Sequence, residues 1–246
     1  LGTPGVEDAR TRRLNGRNEE RRVLEHAGLH LRAVLIAALA TGCRIGEVLS
    51  LQFHQVRRDD AGEARWLVLP AAKTKTGEAR VIPVGADLRA ILSLRRHAAD
   101  GKEHRADAYV FGDEDGGQVS RERVYRAWQD AVLKAYGHDT TRTRGQLTPE
   151  ALAAFKAIDL HVHDLRREFA SRLLESAADL HDVQMFLGHA AITTTSRYLR
   201  STPTRLARAL DRLEAASFAH GSHTDDAADD ATKGESAAAT SPNLLN

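Results

Sequence analysis

Strand-type patterning in this chain of 246 residues is confined to one stretch, Trp66 to Val84, and that confinement fixes the expected architecture. Trp66–Leu69 reads as a strand, and Ala72–Lys75 with Ala79–Val84 reads as a hairpin turning at Thr76-Gly77-Glu78. Elsewhere apolar residues recur at helical spacing. Leu31, Val34, Leu35 and Ala38 form one stripe, and Ile45, Val48 and Leu49 another. The expected fold is therefore mainly α with a small three-stranded antiparallel β-sheet, an α+β class.

Boundary signals agree with a helical body. Ser120 is placed to cap a helix running to Tyr136, with Gly137 at its end. Thr148-Pro149 and Thr202-Pro203 each pair a hydroxyl cap with proline at the first helical position. Gly188 is placed to end a short helix that starts near Asp179. Gly137–Leu147, GHDTTRTRGQL, reads as a polar loop inserted between helices. The expected division is a flexible lead-in over 1–15, one folded domain over 16–219, and a disordered tail over 220–246 rich in Ala, Asp, Ser, Thr and Gly.

Composition enters as a set of limits. With 42% hydrophobic residues the chain can fill a core. No run approaches the roughly 20 apolar residues of a membrane span, and the polar, Arg-rich start has no hydrophobic signal stretch. Cys43 is the only cysteine, which excludes an internal disulfide and fits a reducing cytoplasm. Net charge is +1, but four Asp and one Glu against one Lys put −4 on the tail, so the rest carries +5. A mixed surface accounts for that charge as well as a nucleic-acid partner does.

Four stations carry chemistry. In ATGCRIGEVLSL, Arg44 and Glu47 share a helix face, as a salt bridge or as an anion site beside an apolar stripe. In HDLRREFASRLL, His163 and Arg166 stand three apart near a helix start, which favours an oxyanion, although a surface pair would look the same. In KTKTGEARVIP, Lys73 and Lys75 share a strand face, with Lys75 next to the turn; edge-strand lysines that block aggregation share that pattern. In LGHAAITTTSRYL, Tyr198 stands among Thr193, Thr194, Thr195, Ser196 and Arg197 rather than in an apolar nest, a setting that suits a reachable hydroxyl. His161 and His163 raise the question of a metal. With no H-E-x-x-H, no cysteine cluster and a helix starting near Asp164, none is expected, nor is any nucleotide cofactor, since no Walker loop is present.

Taken in order, these four stretches resemble the tyrosine recombinase (phage integrase) family over roughly Glu20 to Ala216. The resemblance implies a catalytic domain that breaks and rejoins DNA strands through a 3′-phosphotyrosine, without ATP or metal. It implies that Tyr198 is the nucleophile and that Arg44 and Arg166 hold the non-bridging phosphate oxygens. Lys75 matches the general acid for the departing 5′ oxygen, His163 a histidine for proton transfer or phosphate binding, and His189 a second phosphate donor. Glu47 matches an orienting carboxylate. Ionising a free tyrosine at pH 7 costs about 4 kcal/mol, which neighbouring cations must reduce. A loosely packed helix carrying Tyr198 suits a nucleophile that works in one protomer and stands down in another.

The resemblance also implies double-stranded DNA as partner, a homotetramer on two sites, and no membrane association. Lys73, Arg142 and Arg144 are candidate DNA-backbone contacts. The stripe Leu206, Ala209, Leu210 and Leu213 could dock on a neighbouring subunit or on its own domain. The family's N-terminal helical clamp has no counterpart in this chain, so weak, salt-sensitive DNA binding is expected. A catalytically silent DNA-binding module and a type IB topoisomerase-like activity are the alternatives.

Overall fold

The fold opens with two helices of different character, α1 (Gly16–His26) and α2 (Leu29–Thr41). In α2, LHLRAVLIAALAT, apolar side chains occupy nearly the whole circumference, and only a helix at the centre of a core can bury them. It does so: Leu31, Ala33, Val34, Leu35, Ala37 and Ala38 are buried, and α2 packs on four later helices. The computed structural model describes residues 12–70, 79–98, 100–176, 178–188 and 211. The chain divides into two units, Leu1–Arg200 and Ser201–Asn246, and the architecture below belongs to the first. Of the second, Asp211 alone is among the described residues, so the helix expected from Thr202-Pro203 and the tail over 220–246 lie outside them.

After α2 the chain turns through Gly42 into the short α3 (Ile45–Leu49), a single 3-10 turn at Phe53–Gln55, and a three-stranded antiparallel sheet. The strands are β1 (Val56–Arg58), β2 (Ala64–Leu69) and β3 (Arg80–Pro83), with β2 in the middle. Register places Val56 opposite Leu67, Leu67 opposite Ile82, and Leu69 opposite Arg80. Leu67, Leu69 and Ile82 are buried, while Trp66 and Val81 face outward. The sheet has the expected size, but its first strand is Val56–Arg58, too short and too polar to stand out in the sequence. The expected strand Ala72–Lys75 and its turn lie outside the described residues.

Helices complete the domain: α4 (Ala86–Leu94), α5 (Arg121–Ala135), α6 (Pro149–Ile158), α7 (Val162–Glu175) and α8 (Leu180–Leu187). The caps read from sequence are in place. Ser120 Oγ accepts from Arg123 N at 3.3 Å, Thr148 Oγ1 from Ala151 N at 3.3 Å, and Asp179 Oδ1 from Asp182 N at 2.9 Å. On α5 the buried face is Val124, Trp128, Ala131, Val132 and Ala135. The polar stretch before α6 is a tight hairpin rather than an open loop: β4 (Arg142–Thr143) pairs with β5 (Gln146–Leu147), and Arg144 (φ 50°) and Gly145 (φ 81°) make the turn. At the start of the described chain, Leu14 is buried, Arg12 bonds Glu19, and Arg13 bonds Glu168 at 3.1 Å and Glu175 at 2.7 Å. Arg12 and Arg13, in the segment read as a lead-in, are thus tied to α1 and α7.

The turn at Gly42 decides how α2 meets the rest. Gly42 adopts φ 63°, and a Cβ there would fall 2.9 Å from Leu187 Cδ2 and closer still to the Phe169 ring. Gly42→Ala therefore adds both left-handed strain and overlap with two side chains. Expected is a loss of at least about 2 kcal/mol, or roughly 4–8 °C in Tm. Gly137 has φ 75° with nothing within 4 Å of the added atom, so Gly137→Ala loses the strain alone, about 1 kcal/mol. Thermal unfolding of the two variants measures the packing share as their difference.

Candidate active site

The site is built on the corner between α2 and α3. Thr41 Oγ1 donates to Ala37 O (2.7 Å) and accepts from Cys43 N (3.1 Å), closing the helix end before Gly42 reverses the chain. Arg44 follows in extended geometry as the residue that precedes α3. Glu47, in the first turn, reaches back to accept from Arg44 N at 2.8 Å and from Arg44 Nη1 at 3.1 Å. The salt-bridge reading of this pair therefore holds, and 29% of the Arg44 side chain stays exposed.

Glu47 is only 5% exposed, and its other oxygen role belongs to Arg80, whose Nη2 donates to Oε2 at 2.8 Å. Arg80 opens β3 on the inward phase shared with Ile82, so the sheet sends a guanidinium into the corner. Sequence reasoning passed over it. The available signal was its place in ARVIPV, where a strand phase of Arg80, Ile82 and Val84 puts a charge on the buried face. Arg121 was passed over too. It starts α5 and lies against Gly46, where an added Cβ would come 3.1 Å from its Cζ.

Arg166, on α7, is buried at 2% exposure and reaches the same corner from the opposite side. Its Nη1 donates to Gly42 O and its Nη2 to Leu187 O, each at 2.6 Å. Those acceptors close the C-terminal ends of α2 and α8, where carbonyl dipoles favour a cation. A planar guanidinium fork can serve two such carbonyls at once, which a lysine cannot. The α7 start is fixed locally: Asp164 accepts from His161 N at 2.8 Å, so His161 is the capping residue, and its ring lies 3.5 Å from Asp159.

His163 stands one turn before Arg166 with an exposed ring edge. Crowding by protein, then the charges of Arg166 and Arg167, with Arg44 adding to them, hold its pKa below the ordinary imidazole range. Sign follows directly. The unfolded chain binds that proton more readily than the folded one, so stability falls as pH drops through the ordinary imidazole range. A Tm series from pH 7.5 to 5 should decline, and His163→Gln should remove part of the decline. An unchanged slope in the variant would contradict the assignment.

The other candidates divide. Arg142 is engaged, its Nη2 donating to Asp130 at 2.7 Å and Gln129 at 3.2 Å, whereas Arg144 sits exposed at the hairpin turn. Lys73, Lys75, His189 and Tyr198 lie outside the described residues. Two described groups are unsuited to attack. Burial pushes the Cys43 thiol up, and burial followed by the Glu19 carboxylate raises the Tyr136 phenol. Among the described residues no group of three or more His, Cys, Asp or Glu could hold a metal, and no helix is long and apolar enough to cross a membrane.

What the corner offers chemically is a set of fixed guanidiniums, Arg44 and Arg80 on the Glu47 carboxylate and Arg166 on the neighbouring Gly42 carbonyl, with the His163 imidazole one turn before Arg166. Such a set suits a phosphate oxyanion. Similarity to known proteins agrees. Over 188 residues the chain is 29% identical to tyrosine recombinase XerC of Pelobacter propionicus, covering 76% of this chain and 53% of that protein. Over 175 residues it is 33% identical to tyrosine recombinase XerD of Mycobacterium tuberculosis, covering 69% of this chain and 47% of that protein. The chain thus spans about half the length of the curated relatives it matches. Among solved structures, the catalytic domain of bacteriophage HP1 integrase superposes with a TM-score of 0.52 at 23% identity, covering 81% of this chain and 93% of that one. The Tn1549 transposon integrase in complex with transposon right end DNA gives 0.55 at 16% identity, covering 85% and 68%. These likenesses establish a mainly helical tyrosine recombinase catalytic-domain fold with its small antiparallel sheet. The family model described as the phage integrase family matches residues 11–205, and with the paired Arg44–Glu47 corner and the buried Arg166 already in view, the chain belongs to that family.

Proposed function

We propose that this domain, over residues 16–219, cleaves and rejoins DNA strands at specific sites through a 3′-phosphotyrosine on Tyr198, with neither ATP nor metal. The observation that carries the reading is the meeting of Arg44, Glu47 and Arg166 at the α2–α3 corner, from stations more than 100 residues apart in the chain. Arg44 and Arg166 hold the non-bridging oxygens, where charge builds as the phosphorus becomes five-coordinate. His163, neutral at pH 7, accepts the phenol proton as the Tyr198 oxygen bonds to phosphorus. The bond from phosphorus to the 5′ oxygen breaks, and Lys75 gives that oxygen its proton. His189 donates to a phosphate oxygen, and Glu47 orients Arg44. The phosphotyrosine conserves the energy of the broken bond, so a 5′-hydroxyl from a second duplex reverses the step without a cofactor.

Double-stranded DNA is the proposed partner, a reading supported by the Tn1549 integrase and by the XerH recombinase, whose structure bound to palindromic difH substrate has a TM-score of 0.52 with this chain. The assembly on DNA is a tetramer across two sites, acting in the cytoplasm; Lys73 and Arg144 add backbone contacts, and Arg142 supports the hairpin that carries Arg144. Binding should weaken steeply with salt, with log K falling by about 0.9 per log unit of salt for each phosphate neutralised. The deciding experiment is a suicide duplex nicked near the cut, presented as a panel of family-type sites. A protein–DNA adduct that survives denaturation and is destroyed by protease is expected. Binding to these sites without any adduct would favour the silent module, and relaxation of supercoils without site preference would favour the topoisomerase-like activity.

A further inference from the structure

A buried guanidinium in a β-strand is costly, because a well-packed aliphatic side chain would fill the same inward position without losing hydration. Arg80 occupies such a position opposite Leu69, with 6% of its side chain exposed. Its contacts lie on three separate segments. Nη2 donates to Glu47 Oε2 at 2.8 Å and lies 3.9 Å from Cys43 Sγ, and Nη1 donates to Phe186 O at 3.0 Å. Nε is buried without a partner among the described residues. Overhead is Gly188, φ 62°, where an added Cβ would fall 2.6 Å from Arg80 Cδ and 2.7 Å from Nη1.

Two neighbouring carbonyls at the end of α8 are thus held by two arginines from different elements: Phe186 O by Arg80 and Leu187 O by Arg166. The chain leaves this clamp through Gly188 into the segment that holds His189 and Tyr198. In the other direction Arg80 fixes one oxygen of Glu47 while the other meets Arg44. Arg80 also begins the strand that follows the stretch containing Lys75. A strand-packing role alone would need none of these polar contacts.

We propose that Arg80 is a positioning residue for the strand-cleavage step, resting on the recombinase reading above. It acts through Glu47 on Arg44, and through the Phe186 carbonyl on the end of α8, so that the start of β3, the first arginine and the end of α8 are held in one register. Arg80 itself touches no reacting atom. A lysine in its place could serve Glu47 or Phe186 O but not both.

The test uses the full chain with Arg80→Met, Arg80→Lys, Glu47→Gln and the Arg80→Met/Glu47→Gln double variant. Amide hydrogen exchange is followed over residues 43–50 and 180–188, with the α5 core around Val132 as reference. Expected is faster exchange in both segments for Arg80→Met, about 10-fold or more, with the α5 core within about 2-fold. Single-turnover cleavage of a nicked duplex under saturating protein should fall about 10- to 100-fold in Arg80→Met and less in Arg80→Lys, while DNA Kd moves less than about 3-fold. The double variant should cleave about as slowly as Arg80→Met alone, because both substitutions break one path. Unchanged exchange in either segment, additive losses in the cycle, or a cleavage loss matched by faster exchange at Val132 would each overturn the proposal. Should Arg80→Met fail to fold, Arg80→Lys decides it: faster exchange in at least one of the two segments together with slower cleavage is expected, and unchanged exchange in both or unchanged cleavage would overturn the proposal. A wild-type protein that forms no adduct would sink the recombinase reading, and the exchange results would still decide whether Arg80 holds the two segments.

Discussion

Arg166→Ala is expected to lose both structure and chemistry. The side chain is 2% exposed and joins the carbonyls that end α2 and α8, each at 2.6 Å. Truncation leaves those acceptors without a charged donor in a buried setting and opens a cavity the length of an arginine stem. Losing two hydrogen bonds to a charged group removes about 3–5 kcal/mol, which chemical denaturation would read as a lower midpoint. Cleavage should fall by at least about 10³-fold, beyond the fraction of molecules unfolded, because transition-state charge on the phosphate loses a fixed donor. Arg166→Lys separates the two effects. It keeps the charge and part of the packing, so most stability should remain while cleavage still drops about 10²-fold, since one ammonium cannot hold two carbonyls and a phosphate oxygen in one plane. Equal cleavage by Arg166→Lys and the parent chain would contradict this account.

Tyr198→Phe carries the second large effect, and here binding and chemistry should part completely. Removing one oxygen keeps the aromatic ring, so DNA Kd should stay within about 2-fold of the parent chain. No adduct should form, a loss of at least about 10⁴-fold limited by the assay, because the nucleophile itself is gone. The described tyrosines offer no replacement of equal standing. Tyr136 is bonded to Glu19 with Arg22 stacked 4.9 Å from its ring centre, and Glu19 holds its proton on. Tyr125 is 47% exposed on α5. An adduct that persists in Tyr198→Phe would point to Tyr125 or the part-exposed Tyr109 and remove Tyr198 from the mechanism.

The parts of the fold that were legible in the sequence are those set by neighbours in the chain. Ser120, Thr148-Pro149 and Asp179 sit where side-chain oxygens must meet helix-start amides, and each does so in the structure. Gly137 and Gly188 follow helix ends in left-handed turns that other residues adopt only with strain. The Arg44–Glu47 pair follows from three-residue spacing alone. What stayed hidden depends on partners far away. HDLRREF leaves Arg166 open as an oxyanion site or a surface pair with His163, because nothing in it reveals that Gly42 O and Leu187 O, 124 and 21 residues distant, will meet it. Arg80 was passed over because its inward side takes effect only when its strand pairs with β2. Val56–Arg58 is a strand because β2 is beside it, and the Arg142–Leu147 hairpin turns at Arg144 in a conformation that glycine or asparagine would normally advertise.

The central claim is that a phenol, two guanidiniums and an ammonium act on one phosphorus atom at the α2–α3 corner. Peptide mapping of the trapped adduct by tandem mass spectrometry tests it most directly. The account predicts a nucleotide remnant linked by its 3′-phosphate to Tyr198, in a yield that drops to background in Arg44→Ala. A remnant on any other residue, a 5′-phosphate linkage, or full yield in Arg44→Ala would contradict it.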